Sequence, residues 1–256
     1  MHRAIAILLL FPLSLMAQKK PDFESLLARN TFTSGKTTLF YRFLKPEKIE
    51  EKTKYPLVIF LHGAGERGDD NTKQLVHGVG DFAKSTTRKK HPCFLIAPQC
   101  PEGRRWVEVD WSAPTHNMPK AASEPATLLL ALIDQVCKEY PIDKNRIYLT
   151  GLSMGGYGTW DLLCRKPTLF AAGIPVCGGG DEKHAKKLVG IPIWAFHGDK
   201  DLAVKVERSR NMIEAIKKAG GEPKYTEYPG VGHDSWTRTY KNPEVLDWLF
   251  AQTRKK

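Results

Sequence analysis

The chain has no pair of cysteines two residues apart and no H-E-x-x-H run. It therefore lacks the spacings of a zinc ribbon, a thioredoxin-type redox site and a zinc hydrolase. No stretch beyond residue 15 is long and apolar enough to span a membrane. Internal repeats, low-complexity tracts and interdomain linkers are also absent, which argues against solenoids and disordered arms. A nucleotide loop fails in both places where it could start. Residues 63–68 (GAGERG) fit G-x-G-x-x-G but run into Asp69, Asp70 and Asn71 instead of an apolar helix, and Gly35-Lys36-Thr37 has Asn30 where a phosphate loop needs glycine. Acidic bias is missing too: 39 Lys and Arg stand against 28 Asp and Glu, for a net +11. The basic residues are scattered (88–90, 186–187, 217–218, 254–256), with no stripe along one helix, so nucleic acid is not an expected partner.

What is present suits one sizeable core. Of the 256 residues, 41% are hydrophobic and 10% aromatic, which excludes a disordered chain or a disulfide mini-protein. A prior of about 150 residues per domain allows one or two domains, and one is expected because α/β units reach about 250 residues. Residues 1–17 read as a secretory signal peptide: His2 and Arg3, an apolar stretch at 4–15 broken by Pro12, and Ala17 before the cleavage point. Twelve residues rise only about 18 Å as a helix, too short for a hydrocarbon core of about 30 Å. Leu15 departs from the small residue usual three places before cleavage. The mature domain is then 18–256, with 38 basic against 28 acidic residues. No cysteine follows to carry a lipid, so the expectation is a secreted or periplasmic protein without integral membrane association. Export permits disulfides, and five cysteines leave at least one thiol over. Cys137, Cys164 and Cys177 lie in apolar elements, whereas Cys93 and Cys100 could pair.

Strand and helix signals alternate along the chain. Strands are predicted at 38–44, 57–61 (LVIFL), 93–97, 146–150, 173–177, 191–196 and 224–228. The continuous apolar run at 57–61 marks a strand buried on both faces. Helices are predicted at 125–140, where Leu128, Leu129, Leu132, Ile133 and Val136 repeat with a period near 3.6, at 157–164, and at 205–219. Asn242 caps a last helix with Pro243 at its first position. The pattern predicts an α/β fold, a mostly parallel sheet with helices on both faces. Residues 98–120 hold four prolines and no clear element. That connection follows the carboxyl end of a strand, the edge at which open α/β sheets bind ligands.

Gly151-Leu152-Ser153-Met154-Gly155 is a G-x-S-x-G between a predicted strand and a predicted helix. Such a turn holds the serine hydroxyl out above the sheet edge. A hydroxyl is a weak nucleophile and needs a base that a carboxylate orients. In this arrangement the acid and then the histidine follow on loops after later strands. His233 is the only histidine after the last predicted strand, which makes it the candidate base. Asp199 and Asp201 both follow the 191–196 strand; Asp201 is the candidate acid, because Asp199 sits where aspartate commonly holds a turn. The candidate oxyanion donors are the backbone N–H groups of Met154, after the nucleophile, and Ala64, in the glycine-rich loop after LVIFL.

With Ser153, Asp201, His233 and the HGAGERG loop at 62–68, the chain resembles the α/β-hydrolase superfamily. The strings LHGAGERG, APQCP and GLSMGG make it similar to small secreted esterases near the phospholipase/carboxylesterase, dienelactone hydrolase and feruloyl esterase-like groups. Relatives with these strings are often labelled predicted or prolyl-oligopeptidase-like peptidases. The resemblance spans about residues 37–252 and implies an eight-stranded sheet with one antiparallel strand near the start, and no cofactor. Only thirteen residues separate the strands ending at 177 and starting at 191, too few for a cap domain, so an open site is expected. Trp106, Trp111 and Trp236 are candidate acyl- or sugar-binding residues, since an exposed indole offers a flat face; the alternative is that they anchor loops. The leading expectation is a serine carboxylesterase acting on soluble or polysaccharide-linked esters. The alternatives are a serine peptidase and a non-catalytic binding module.

Overall fold

The computed structural model describes residues 23–254; the signal peptide expected at 1–17 lies outside them. A short 3-10 turn at Phe23–Leu26 leads into β1 (Leu27–Ser34) and β2 (Thr37–Leu44). Then come β3 (Tyr55–Leu61), α1 (Val79–Ala83), α2 (Ser85–Lys90), β4 (Phe94–Gln99) and α3 (Glu124–Glu139). The second half runs β5 (Ile142–Leu152), α4 (Met154–Arg165), β6 (Ala172–Val176), β7 (Trp194–Gly198), α5 (Glu207–Lys218), β8 (Lys224–Tyr228), α6 (Trp236–Lys241) and α7 (Pro243–Phe250).

The eight strands form one sheet in the order β1-β2-β4-β3-β5-β6-β7-β8. Only β2 runs against the others, pairing antiparallel with both β1 and β4. All seven residues of β3 are buried, as its apolar run requires. Leu57, Ile59 and Leu61 face a layer formed by α3, α4 and α5, while Val58 and Phe60 face α1, α6 and α7. The predicted caps form: Ser123 Oγ accepts the Ala126 amide at the start of α3, and Asn242 Oδ1 accepts the Glu244 amide at 3.0 Å in α7.

Three differences have plain causes. β1 (LARNTFTS) carries no apolar run; it is an edge strand with only Leu27 buried, so hydrophobic patterning does not reveal it. β7 begins at Trp194 rather than 191 and continues through His197 and Gly198, which register with Glu227 and Tyr228. Cys93 and Cys100 do not pair, and all five cysteines are free thiols. The two sit at opposite ends of the six-residue β4, about 20 Å of extended chain apart, beyond the reach of a disulfide.

Between β4 and α3 the chain has no helix or strand, yet side chains hold it in place. Trp106 Nε1 donates to the His62 carbonyl at 3.1 Å, and Ser123 Oγ donates to the Trp106 carbonyl at 2.8 Å. Farther along, Arg208 donates to the Pro114 carbonyl at 2.7 Å and Arg165 to that of Pro119 at 2.6 Å, while the Met118 amide donates to Asp181 at 2.8 Å.

Candidate active site

Ser153 joins β5 to α4 with φ +53° and ψ −116°, a region that costs a non-glycine residue roughly 1–3 kcal/mol. Neighbouring backbone leaves it little choice. A Cβ on Gly155 would collide with the Leu61 carbonyl, and one on Gly151 would stand 2.5 Å from the Gly155 carbonyl oxygen. The elbow is thus pressed against β3, and the Ser153 amide ties it to β6 through a 2.9 Å bond to the Val176 carbonyl.

His233 and Asp201 approach from loops beyond β8 and β7. His233 Nε2 lies 2.9 Å from Ser153 Oγ, and His233 Nδ1 lies 2.7 Å from Asp201 Oδ2. Asp201 is buried, and its other oxygen accepts the Ala203 and Val204 amides at 2.9 Å each. Fully buried His197 places Nε2 3.2 Å from Asp201 Oδ2. Burial alone would raise the Asp201 carboxyl, but hydrogen bonds from His197 and His233, with the Val204 amide, outweigh it and hold the group far below the usual carboxylate range. His197 also meets Ser209 Oγ at 2.7 Å and the Val204 carbonyl at 2.9 Å, so it braces Asp201. Asp199 accepts the Gly230 amide at 2.7 Å and locks the β8 turn, and Asp234 accepts the Thr237 amide at the start of α6.

The HGAGERG loop lies beside the serine: a Cβ on Gly63 would stand 3.6 Å from Ser153 Cβ. Ala64 opens a 3-10 turn and Met154 opens α4, positions whose amides have no partner within their own helix. The loop's rigidity comes from His62, whose role the sequence did not disclose. Its Nε2 accepts the Cys100 amide at 2.9 Å, which leaves Nδ1–H to donate to the Gly63 carbonyl at 2.6 Å. Burial pulls the His62 pKa down to about 4, so near neutral pH the ring is uncharged and keeps this tautomer. Its one sequence signal is a histidine placed directly after a fully apolar strand.

Residues 47–242 match the phospholipase/carboxylesterase family. The chain belongs to that family. Within this carboxylesterase-type fold it is similar to a solved thermostable esterase, with 41% identity and a TM-score of 0.84 over 91% of this chain and 64% of the other. It is 23% identical over 252 residues to an uncharacterized secreted protein of Arthroderma benhamiae, covering 84% of this chain but 25% of that protein. It is 22% identical over 209 residues to a probable feruloyl esterase C of Aspergillus niger, covering 78% of this chain and 68% of the other. The chain therefore spans a quarter of the first protein's length and under two thirds of the thermostable esterase.

The three tryptophans separate on this carboxylesterase-type scaffold. Trp106 is wholly buried between His62 and Gly158, where it anchors the long loop, the alternative weighed for it above. The cause is the small Gly158 surface of α4, which accepts the indole directly. Trp111 is half-buried; Arg105 covers one face at 4.4 Å, and its carbonyl accepts Tyr157 Oη at 3.2 Å. Trp236 stands edge-on to His233 at 5.1 Å between ring centroids and tilts against His77 at 5.3 Å, so it borders the Ser153–His233 line. Arg208 is the other residue that the sequence did not disclose. It lies on the same α5 stripe as Met212 and Ile216 and is 1% exposed, bonding the carbonyls of Pro114 and Gly180 and meeting His116. Burial and the Arg208 charge pull the His116 pKa down to about 4, so near neutral pH it accepts this bond.

Proposed function

We propose that the protein is a secreted serine carboxylesterase, with Ser153 as nucleophile, His233 as base, Asp201 as acid, and the Ala64 and Met154 amides as oxyanion donors. The observation that carries this reading is the continuous Ser153–His233–Asp201 hydrogen-bonded line beside the glycine-rich loop. His233 Nε2 takes the Ser153 proton as Oγ attacks the ester carbonyl. The two amides receive the oxyanion. His233 then gives its proton to the leaving alcohol, and water, deprotonated by the same nitrogen, clears the acyl-enzyme.

The proposed substrates are soluble esters or esters carried on a large polymer, with feruloyl or acetyl groups on plant cell-wall carbohydrate as the leading class. Two observations support this choice: the short β6–β7 connection, which leaves no room for a cap, and the similarity to a probable feruloyl esterase. Trp236 is proposed as the wall on the His233 side. The test is a panel of short and long nitrophenyl esters, methyl ferulate, acetylated xylan and peptide amides, with Ser153→Ala as control. Hydrolysis of short or aromatic esters that disappears in the variant is expected. Amide cleavage would favour the peptidase reading, and ester cleavage that survives the substitution would remove Ser153 from its role.

A further inference from the structure

Beneath the base and the acid lies a sulfur that the esterase mechanism does not use. Cys177 follows β6 directly, is wholly buried, and holds φ at +40°, a conformation seldom adopted by a residue other than glycine. Ligand atoms of Cys177, Asp201 and His233 all lie within 4.8 Å of one another. A fourth polar group joins them. Two residues on from His233, the Ser235 hydroxyl is wholly buried and has no hydrogen-bond partner. Burial pushes the Cys177 thiol far above the usual thiol range, so without a cation the sulfur keeps its proton.

We propose that Cys177, Asp201 and His233 form a site for a soft divalent cation of the zinc class, and that filling it silences the esterase. This rests on the reading of Ser153, His233 and Asp201 as the hydrolytic line. One sulfur, one imidazole nitrogen and one carboxylate oxygen suit a zinc-class ion and not a hard cation such as magnesium. Zinc bond lengths of about 2.0–2.3 Å place ligand atoms roughly 3.3–3.7 Å apart, so closure needs movements of about 1 Å. Charge balances: the thiol releases its proton to solvent, and thiolate plus carboxylate neutralise the dication in a buried place. Entry is from the His233 side, whose side chain is 28% exposed. Once the ion is bound, Asp201 no longer orients His233, and the imidazole lone pair or its bond to the acid is taken. The ligands stand at 177, 201 and 233, after three different strands, so no short spacing in the sequence announces them.

The test uses the purified protein with zinc and cadmium chlorides. Zinc is expected to inhibit ester hydrolysis, and a chelator to restore it. Cys177→Ala should hydrolyse the ester without metal, with its zinc inhibition constant raised at least about tenfold, the lower end of what loss of an outer-shell partner costs. The ultraviolet cadmium–thiolate band should fall in that variant relative to the parent. Equal zinc inhibition of Cys177→Ala, or an unchanged cadmium band, would overturn the proposal. Fluorophosphonate labelling of the metal-free variant verifies its fold, and Cys177→Ser replaces it if labelling fails. Should the parent prove not to be a hydrolase, the cadmium band still decides the metal site.

Discussion

Two connections flank the glycine-rich loop at 62–68, and they are held by opposite means. The elbow at 151–156 is fixed by backbone against backbone, since glycines let β5, α4 and β3 touch where any side chain would clash. The connection at 100–123 is fixed by side chains reaching in from distant elements: Arg165 from α4, Asp181 after β6, Arg208 from α5. The first kind of order is written within six consecutive residues. The second is spread over about a hundred positions and shows only once the chain has folded.

That contrast should fail first at Gly155. Gly155→Ala drives a methyl into the Leu61 carbonyl, which cannot yield without moving β3. Destabilisation of at least about 3 kcal/mol and loss of hydrolysis are expected, read from the denaturant midpoint and the ester assay.

His62 joins the two connections, and its effect depends on pH. Its folded-state pKa is depressed to about 4, so between about pH 6.5 and 4 the unfolded chain binds a proton that the folded one refuses. Its stabilising contribution is therefore complete above about pH 6.5, declines as pH falls toward 4, and is flat below. The loss is on the order of 3 kcal/mol at most. His116 has the same sign. Unfolding titrations at pH 7 and pH 4.5 should show a shallower pH slope in His62→Gln than in the parent; equal slopes would mean that His62 is not the sensor.

Arg208→Met removes the strap on the long connection and leaves the Pro114 and Gly180 carbonyls and His116 without their donor. A cost of about 2 kcal/mol is expected, with new tryptic cleavage at Arg104, Arg105 or Lys120 while the elbow stays intact. If fluorophosphonate labelling fell as fast as the loop became cleavable, the two regions would not be independent. The smallest effect belongs to Tyr157→Phe, which deletes the hydroxyl bond to the Trp111 carbonyl; about 1 kcal/mol in thermal unfolding is expected, and none in labelling of Ser153.

The sequence was legible wherever local chemistry decides. Strand-forming runs rich in apolar, β-branched and aromatic residues marked seven strands, Asn242–Pro243 marked the start of α7, and G-x-S-x-G marked the serine turn. The choice of Asp201 over Asp199 followed from turn chemistry, and the structure sets Asp201 against His233 and Asp199 against the Gly230 amide. Legibility ended where a residue's neighbours come from elsewhere. β1 is polar because it borders solvent, Trp106 sinks into a recess that Gly158 provides, and Arg208 lies on an apolar stripe because loop carbonyls surround its guanidinium. No periodicity records such partners.

The crowding around Asp201 has one more consequence. Two amides occupy one carboxylate oxygen and two imidazoles the other, so in the metal-free protein both oxygens are engaged and the carboxyl is held far below its usual range. In the proposed mechanism a proton arriving on His233 is therefore not passed on to Asp201. It waits on the imidazole, facing the serine, until a leaving group claims it, and the relay is a cul-de-sac one proton deep.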